Sequence, residues 1–131
     1  MKSRSLDLKN GSRQQKRGAK GERRAVLYLR LHGYRILERN YLASHKEIDI
    51  IAEKGSVIAF IEVKSRKNNA LPAAASVNRE KKTNIISASK RYAAKNGIRN
   101  RIVRYDIIEV DLGKKFFFNS VNHIENAFTV Q

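Results

Sequence analysis

The sequence predicts an α/β sandwich built around a mixed sheet. Two runs, residues 47–52 and 57–64, are apolar on both faces and therefore need cover on both sides of the sheet. One helical segment precedes these runs and a second follows them. Helix, three strands, helix and two strands in 131 residues predict one domain with a single core.

The N-terminal part predicts a basic arm followed by the first helix. Residues 1–17 have few apolar side chains and several Lys and Arg, a composition typical of a flexible arm, so the folded domain is predicted over 18–131. From Glu22 to Leu29 apolar residues recur at helical spacing, and Gly33 predicts the end of the helix.

Turn signals and apolar patterns predict the remaining elements. In chain order they are a short strand (YRILERN), a hairpin with its turn in 53–56, a loop (NNALPAAAS), a helix over 77–95, a long strand (RIVRYDIIEVDL), a turn (GKK) and a last strand (FFFNSVNHIENAF). The second helix ends at an Asn-Gly pair, the usual left-handed stop.

The hairpin places ionisable groups inside apolar strands. If residues 54–55 form a two-residue turn, Asp49 lies opposite Phe60. Asp49, Glu62 and Lys64 then share one face, with the two acidic residues as diagonal neighbours roughly 7 Å apart at Cβ. A buried carboxylate is tolerated mainly when it is paired or holds a metal, so the hairpin predicts a site.

Composition limits the classes of function. Lys and Arg number 28 against 12 Asp and Glu, a net charge of +16, which predicts an anionic partner such as nucleic acid rather than only a basic, soluble surface. The absence of cysteine excludes disulfides and thiolate metal sites. No apolar run is long enough for a membrane span or a secretory signal, so we expect no membrane partner and a cytoplasmic setting.

Two carboxylates on one strand face suit Mg²⁺, for which Mn²⁺ can substitute. Asp49 and Glu62 would hold the ion, the backbone carbonyl of Val63 would complete its shell, and Lys64 would stabilise the attacking hydroxide or the charge growing on a phosphate. The alternatives are that the two acids are solvated strand ends paired with nearby Lys or Arg, and that Lys64 is only a counter-ion of Glu62.

Other polar residues allow both a functional and a structural interpretation. Lys81 lies on an apolar helical stripe and either contacts phosphate or extends its ammonium group to solvent. The predicted nucleic-acid rim, alternatively a solvated surface, comprises Arg66, Lys67, Lys82, Lys90 and Arg91. Asp106 is predicted to pair with Arg104, and His123 is predicted to be structural. Glu47 is expected at an edge, with water-mediated metal binding as the alternative.

Asp49, followed thirteen residues later by Glu62-Val63-Lys64, matches the pattern of the PD-(D/E)xK nucleases. The segments that carry a wider resemblance are GAKGERRAVLYLRLHGYRIL, EIDII, FIEVKSR, SVNREKK, RYDIIEV and HIENAF. Through these segments, the stretch from residue 18 to residue 128 resembles the bacterial YraN family, of the UPF0102 type. Members of that family look like a Holliday-junction-resolvase branch of the restriction-endonuclease fold.

The resemblance implies a restriction-endonuclease-like α/β/α sandwich with a central mixed five-stranded sheet flanked by helices. It also implies a metal-dependent phosphodiesterase site, with Asp49, Glu62 and Lys64 in the metal-binding and catalytic pattern. Glu22 matches the acidic residue at the start of the family's first helix, although such a carboxylate also interacts favourably with a helix N-terminus. Ile48 stands where the family pattern has proline.

The hypothesis from sequence is therefore a Mg²⁺-dependent nuclease that cleaves DNA by activated water. The alternatives are a non-catalytic nucleic-acid-binding module on the same fold and, less well supported by the acidic residues, a basic adaptor for an acidic protein. Nearly all of residues 21–128 are used by helices and strands, which predicts selection of branched DNA by shape rather than by base sequence. A homodimer would place two sites on a near-symmetric branch.

Overall fold

The computed structural model describes residues 13–67, 77–115 and 120–129. Its elements are α1 (Arg13–Leu31), β1 (Arg35–Ala43), β2 (Lys46–Lys54), β3 (Val57–Arg66), α2 (Arg79–Lys95), β4 (Ile102–Asp111) and β5 (Val121–Phe128). This order confirms the predicted succession of a helix, three strands, a helix and two strands.

The five strands form one mixed sheet in the order β1-β2-β3-β4-β5. Strands β3 and β4 are parallel, whereas the other neighbours are antiparallel. The parallel pair needs a long crossover connection, and α2 lies within it. With α1 on one face of the sheet and α2 on the other, the fold is the predicted α/β/α sandwich.

Each helix closes its own apolar layer against the sheet. Ala25, Val26 and Leu29 of α1 pack on one face, in a layer that includes Ile50 and Ile61. The other layer packs α2 against the opposite face of the sheet. Its buried residues include Ile85, Ala88 and Tyr92 of α2 and Ile51, Ile58, Phe60, Tyr105 and Ile107 of the strands. The hairpin strands are therefore buried on both faces, as their apolar runs predicted.

The predicted hairpin register is wrong by two residues. Lys54 pairs with Val57, so the two-residue loop is 55–56, and the ladder continues to Ile50 opposite Ile61. Gly55 has a φ of 58°, and glycine at the first loop position is favoured in such hairpins. Because side chains alternate with a period of two, this shift keeps the paired residues of the ladder on their predicted faces.

The first helix begins earlier than its apolar pattern indicates. It starts at Arg13 rather than at Glu22, so the arm predicted over 1–17 overlaps its first five residues. The second helix starts at Arg79, two residues after the predicted Val77. Residues 1–12 of the arm, the NNALPAAAS loop and residues 116–119 of the last predicted strand lie outside the described residues. No helix in the described ranges is long and apolar enough to cross a membrane.

Candidate functional site

The hairpin ladder ends where the acidic residues begin. The pairing of β2 with β3 ends at Ile50 and Ile61, the residues next to Asp49 and Glu62. At this point the backbone N–H of Val63 donates to Asp49 Oδ2 at 2.8 Å. The predicted pairing of Asp49 with Phe60 is therefore absent, and the carboxylate of Asp49 lies close enough to that of Glu62 to interact with it.

Glu62 is almost completely buried, with its residue 2% exposed. Two ammonium groups approach the same oxygen, Oε2: Lys64 Nζ at 3.3 Å and Lys81 Nζ at 3.6 Å. The other oxygen, Oε1, is buried and has no hydrogen-bond partner among the described residues. Because buried polar atoms are normally satisfied, this oxygen marks a place where a further group can bind.

The surroundings of Asp49 and Glu62 disfavour a negative charge on both carboxylates at once. Burial raises the pKa of Asp49, and repulsion from Glu62 raises it further, to about 8, against the lowering effect of the Val63 N–H. Without a cation, a proton is therefore retained at Asp49 near neutral pH. A bound cation would replace that proton and remove the repulsion.

Val63 presents a third oxygen to the same place. The N–H and C=O of one strand residue point to the same edge of the strand. Since the Val63 N–H is directed to Asp49 rather than to a backbone carbonyl of β2, the Val63 carbonyl also faces that edge. The oxygens of Asp49, Glu62 and Val63 therefore lie near one another, and their binding of a metal ion stays a prediction.

Glu22 lies in the middle of α1, nine residues after its start, so the interpretation as a helix N-terminal carboxylate is wrong. The residue is buried, at 9% exposure. Its Oε1 accepts from Arg39 Nε at 3.2 Å and from Asn40 Nδ2 at 3.0 Å. The contacts join α1 to the edge strand β1.

Glu22 and Asp49 line one groove of about 730 Å³ between α1 and the first strands. Arg23, Arg39 and Val63 also line it. Gly21 allows α1 to lie this close to β3, since a Cβ at that position would be 1.8 Å from Ser65 Oγ. The groove therefore combines carboxylates with arginines, an arrangement that can hold a cation beside a phosphate.

Comparison with known proteins gives the family. A model described as "Uncharacterised protein family UPF0102" matches residues 21–110. A UPF0102 protein of Alkaliphilus oremlandii is 44% identical over 115 residues, covering 85% of this chain and 96% of the relative. Another, of Clostridioides difficile, is 43% identical over 113 residues, covering 86% of this chain and 96% of that protein.

The chain belongs to the UPF0102 family. The resemblance predicted from the sequence motifs is confirmed. The matched part of this UPF0102 member runs from Gly21 in α1 to Val110 in β4 and includes Glu22, Asp49, Glu62 and Lys64.

The predicted nucleic-acid rim is only partly on the surface of this UPF0102 fold. Lys67 is exposed at the end of β3, whereas Arg66 is half-buried. Lys82 is half-buried, with its Nζ 5.8 Å from the centre of the Phe128 ring. Lys81 faces Glu62 rather than solvent alone, so it joins the carboxylate site. Lys90 and Arg91 are exposed on α2.

The predicted pair of Arg104 and Asp106 is present on β4. Arg104 Nε donates to Asp106 Oδ1 at 2.9 Å, and a ring nitrogen of His123 lies 2.7 Å from Asp106 Oδ2. Glu47 is exposed and lines the groove beside Asp49, but it lies on the inner strand β2 opposite Leu42 of β1 rather than at an edge.

Sequence reasoning missed Arg39 and Asn40, which hold Glu22. They are 17 and 18 residues away along the chain, so no local spacing indicates the contact. Asn inside a predicted strand was the available signal that this position is unusual, because this residue is depleted in strands.

The donor set of this UPF0102 site suits a hard divalent cation. Among the described residues, no group of three or more His, Asp or Glu side chains could hold a metal ion. Mg²⁺ is nevertheless commonly bound by one or two carboxylates, with the remaining positions filled by other oxygens such as waters. The unpartnered Glu62 Oε1 and the repulsion between the acids both fit such an ion.

Proposed function

We propose that this protein is a metal-dependent endonuclease that hydrolyses phosphodiester bonds in DNA, with preference for branched or junction structures. The observation that carries the proposal is the close pair formed by buried Glu62 and half-buried Asp49, in which Glu62 Oε1 has no hydrogen-bond partner among the described residues. Buried like charges are costly without a cation, and the nearest ammonium groups approach only Oε2.

The residues have separate roles in the proposed reaction. Asp49, Glu62 and the Val63 carbonyl hold Mg²⁺, which supplies Lewis-acid activation of water and phosphate when bound. Lys64, at 28% side-chain exposure, is close enough to donate to an attacking oxygen or to a phosphate oxygen. Glu22 lies in the same groove as Asp49 and orients water there.

The charge of the chain supports an anionic polymer as the substrate. A net charge of +16 strengthens binding to phosphates through release of counterions. The described elements include no additional helix or ribbon outside the sandwich that could enter a groove and read base edges. Recognition is therefore assigned to phosphates and shape, which favours branched DNA.

The decisive experiment separates cleavage from binding. Asp49→Asn and Glu62→Gln should each abolish Mg²⁺-dependent cleavage, because they remove ion ligands, yet leave DNA affinity within about threefold, because Lys and Arg supply it. Glu38→Gln is the matched control, since Glu38 is exposed on β1 outside the groove lining. Full activity in both site variants would refute the assignment.

A competition experiment tests the substrate class. Four-way junction, flap, single strand and duplex of matched length compete at one salt concentration, with several sequences for each form. We expect the branched forms to be bound and cleaved best, whatever their sequence. A single duplex sequence that outcompetes every branched form would contradict the proposal.

A second candidate function is a nucleic-acid-binding module without catalysis. It is favoured by one observation: Lys64 and Lys81 already provide two positive charges at Glu62 Oε2. If these ammonium groups replace the ion, calorimetry should detect no Mg²⁺ binding by the parent protein, and Lys81→Gln should create it. If the ion belongs to the site, the parent protein itself should bind Mg²⁺, and Asp49→Asn should not.

A further inference from the structure

Glu22 is held by a pair of neighbouring residues on the edge strand. Arg39 Nε at 3.2 Å, Arg39 Nη2 at 3.1 Å and Asn40 Nδ2 at 3.0 Å all converge on Glu22 Oε1. Within the part of the chain that the structure describes, Oε2 has no protein donor. Because Glu22 lines the groove, this second oxygen is available to water or a ligand there.

The backbone of Asn40 adopts a conformation that is unusual inside a strand. Its φ is 53°, in the left-handed region that asparagine tolerates better than most residues. Its neighbours Arg39 and Tyr41 pair with Ile50 and Ile48, so Asn40 lies across from Asp49. Asn40 therefore lies between Glu22 and Asp49 in the groove, and its side chain reaches Glu22.

The contact with Glu22 occupies only some of the hydrogen-bond donors of Arg39. Its side chain is 43% exposed, whereas that of Glu22 is only 12% exposed. Nη1 has no hydrogen-bond or ion-pair partner among the described residues. A guanidinium group can bind a carboxylate along one edge and a phosphate oxygen along another, since its five donors point in fixed directions.

We propose that Arg39 and Asn40 form a positioning pair for the reaction: Asn40 fixes Glu22 in the groove, and Arg39 bridges Glu22 to a phosphate of the bound nucleic acid. This inference rests on the proposed nuclease function and adds a phosphate contact and a positioning residue to it. The proposed role also accounts for the positive φ of Asn40, a costly backbone conformation that an edge strand does not otherwise need.

The Asn40 half is tested with Asn40→Gly. Glycine adopts a positive φ without strain, so the variant loses the amide donor to Glu22 while its backbone is tolerated. Asn100→Gly is the matched control, because Asn100 has a φ of 59° outside the groove lining. We expect kcat to fall by about 10–100-fold with KM unchanged in Asn40→Gly only, the usual loss when a supporting hydrogen bond is removed.

The Arg39 half is tested by binding alone, in Ca²⁺, with four-way junction DNA. Arg39→Gln should weaken binding and reduce the slope of log affinity against log salt by about 0.7–0.9, the value for one lost phosphate contact. Arg35→Gln is the control on the same strand, because Arg35 pairs with Glu53 at 2.7 Å outside the groove lining.

The outcomes separate this inference from the proposed function. Parental kcat in Asn40→Gly, or a salt slope in Arg39→Gln equal to that of Arg35→Gln, overturns the corresponding half. A melting temperature that falls in Asn40→Gly but not in Asn100→Gly, with unchanged kinetics, makes Asn40 structural. If the parent cleaves no substrate, the nuclease proposal and the Asn40 half both fail, while the salt slope still decides whether Arg39 contacts phosphate.

Discussion

Two buried acidic sites lie on neighbouring strands and are built in opposite ways. Asp106 on β4 is 0% exposed, and Glu62 on β3 is 2% exposed. Asp106 accepts from Arg104 through both carboxylate oxygens at 2.8–3.1 Å, from the Asn126 N–H at 2.9 Å, and contacts His123. Glu62, in contrast, faces another carboxylate and keeps one oxygen unpartnered.

The pKa shifts of the two sites have opposite signs. Burial alone would raise the pKa of Asp106, but the hydrogen bonds from His123, Arg104 and Asn126 hold it below its usual value. Burial and Glu62 together raise the pKa of Asp49. A buried acid whose donors are all present stabilises the fold, whereas one that lacks a positive partner is an open position for a ligand.

The largest expected effect is that two Asp→Asn substitutions change the free energy of unfolding in opposite directions. Asp106→Asn should lower the free energy of unfolding by about 3–5 kcal/mol, because it leaves the guanidinium of Arg104 buried without its partner. In metal-free buffer at pH 8, Asp49→Asn should raise that free energy by about 1–3 kcal/mol, because it removes repulsion with Glu62.

Urea unfolding in EDTA measures both values. The comparison fails if Asp49→Asn destabilises the metal-free protein as Asp106→Asn does, since Asp49 would then be a structural acid. Adding Mg²⁺ should stabilise the parent protein and leave the Asp49→Asn variant unchanged.

The pH dependence of stability should separate the sites over different ranges. The folded protein binds the Asp49 proton more tightly than the unfolded chain does, so this group costs stability as pH rises from about 4 to 8 and adds nothing further above 8. Asp106 has a lowered pKa, so its stabilisation is present above about pH 4 and is lost as pH falls further.

The measurement is the unfolding free energy of the parent protein and of Asp49→Asn between pH 4 and pH 9, without metal. The difference between the two proteins should grow steadily from pH 4 to pH 8 and level off above that pH. A constant difference across this range would mean that Asp49 is already ionised at pH 4.

A smaller effect should come from the packing that brings α1 to the candidate site. Gly21→Ala should cost about 1–3 kcal/mol, because its Cβ would lie 1.8 Å from Ser65 Oγ and 3.1 Å from Ser65 Cβ. Adding Ser65→Ala should recover part of this cost. Gly18→Ala on the same helix, with nothing within 4 Å, should instead stabilise by about 0.5–1 kcal/mol.

Thermal or urea unfolding of the three variants checks these values. The pH dependence of stability in Gly21→Ala should remain parental, since Asp49 and Glu62 both lie on strands. Equal stability of Gly21→Ala and Gly18→Ala would show that α1 is not held close to β3 by a glycine.

The sequence predicted the layers of the fold better than it predicted the register of the hairpin. The shift of two residues preserves alternation along the paired part of the ladder, which ends at Ile50 and Ile61, whereas Ile48 and Ile51 belong to the same core layer, so alternation is interrupted beside Asp49. The start of α1 was not predictable from an apolar stripe, since residues 13–21 are mostly polar or glycine.

The contacts that complete each site join distant parts of the chain. Arg39 reaches Glu22 across 17 residues, and His123 reaches Asp106 across 17 residues. Such contacts depend on how strands and helices pack, and local spacing in a single sequence does not show which residues make them. The Arg104–Asp106 pair was predictable because the two residues are neighbours on one face of one strand.

The smallest effect is expected at Glu47, which lines the groove but is exposed to solvent. Its charge is the weakest of the influences that raise the pKa of Asp49, because water screens it. Glu47→Gln should therefore change Mg²⁺ affinity by about threefold or less, whereas Asp49→Asn should reduce it at least about tenfold. Calorimetric titration at pH 8 compares the two. A loss in Glu47→Gln as large as in Asp49→Asn would make Glu47 a third ligand and place the ion nearer the solvent.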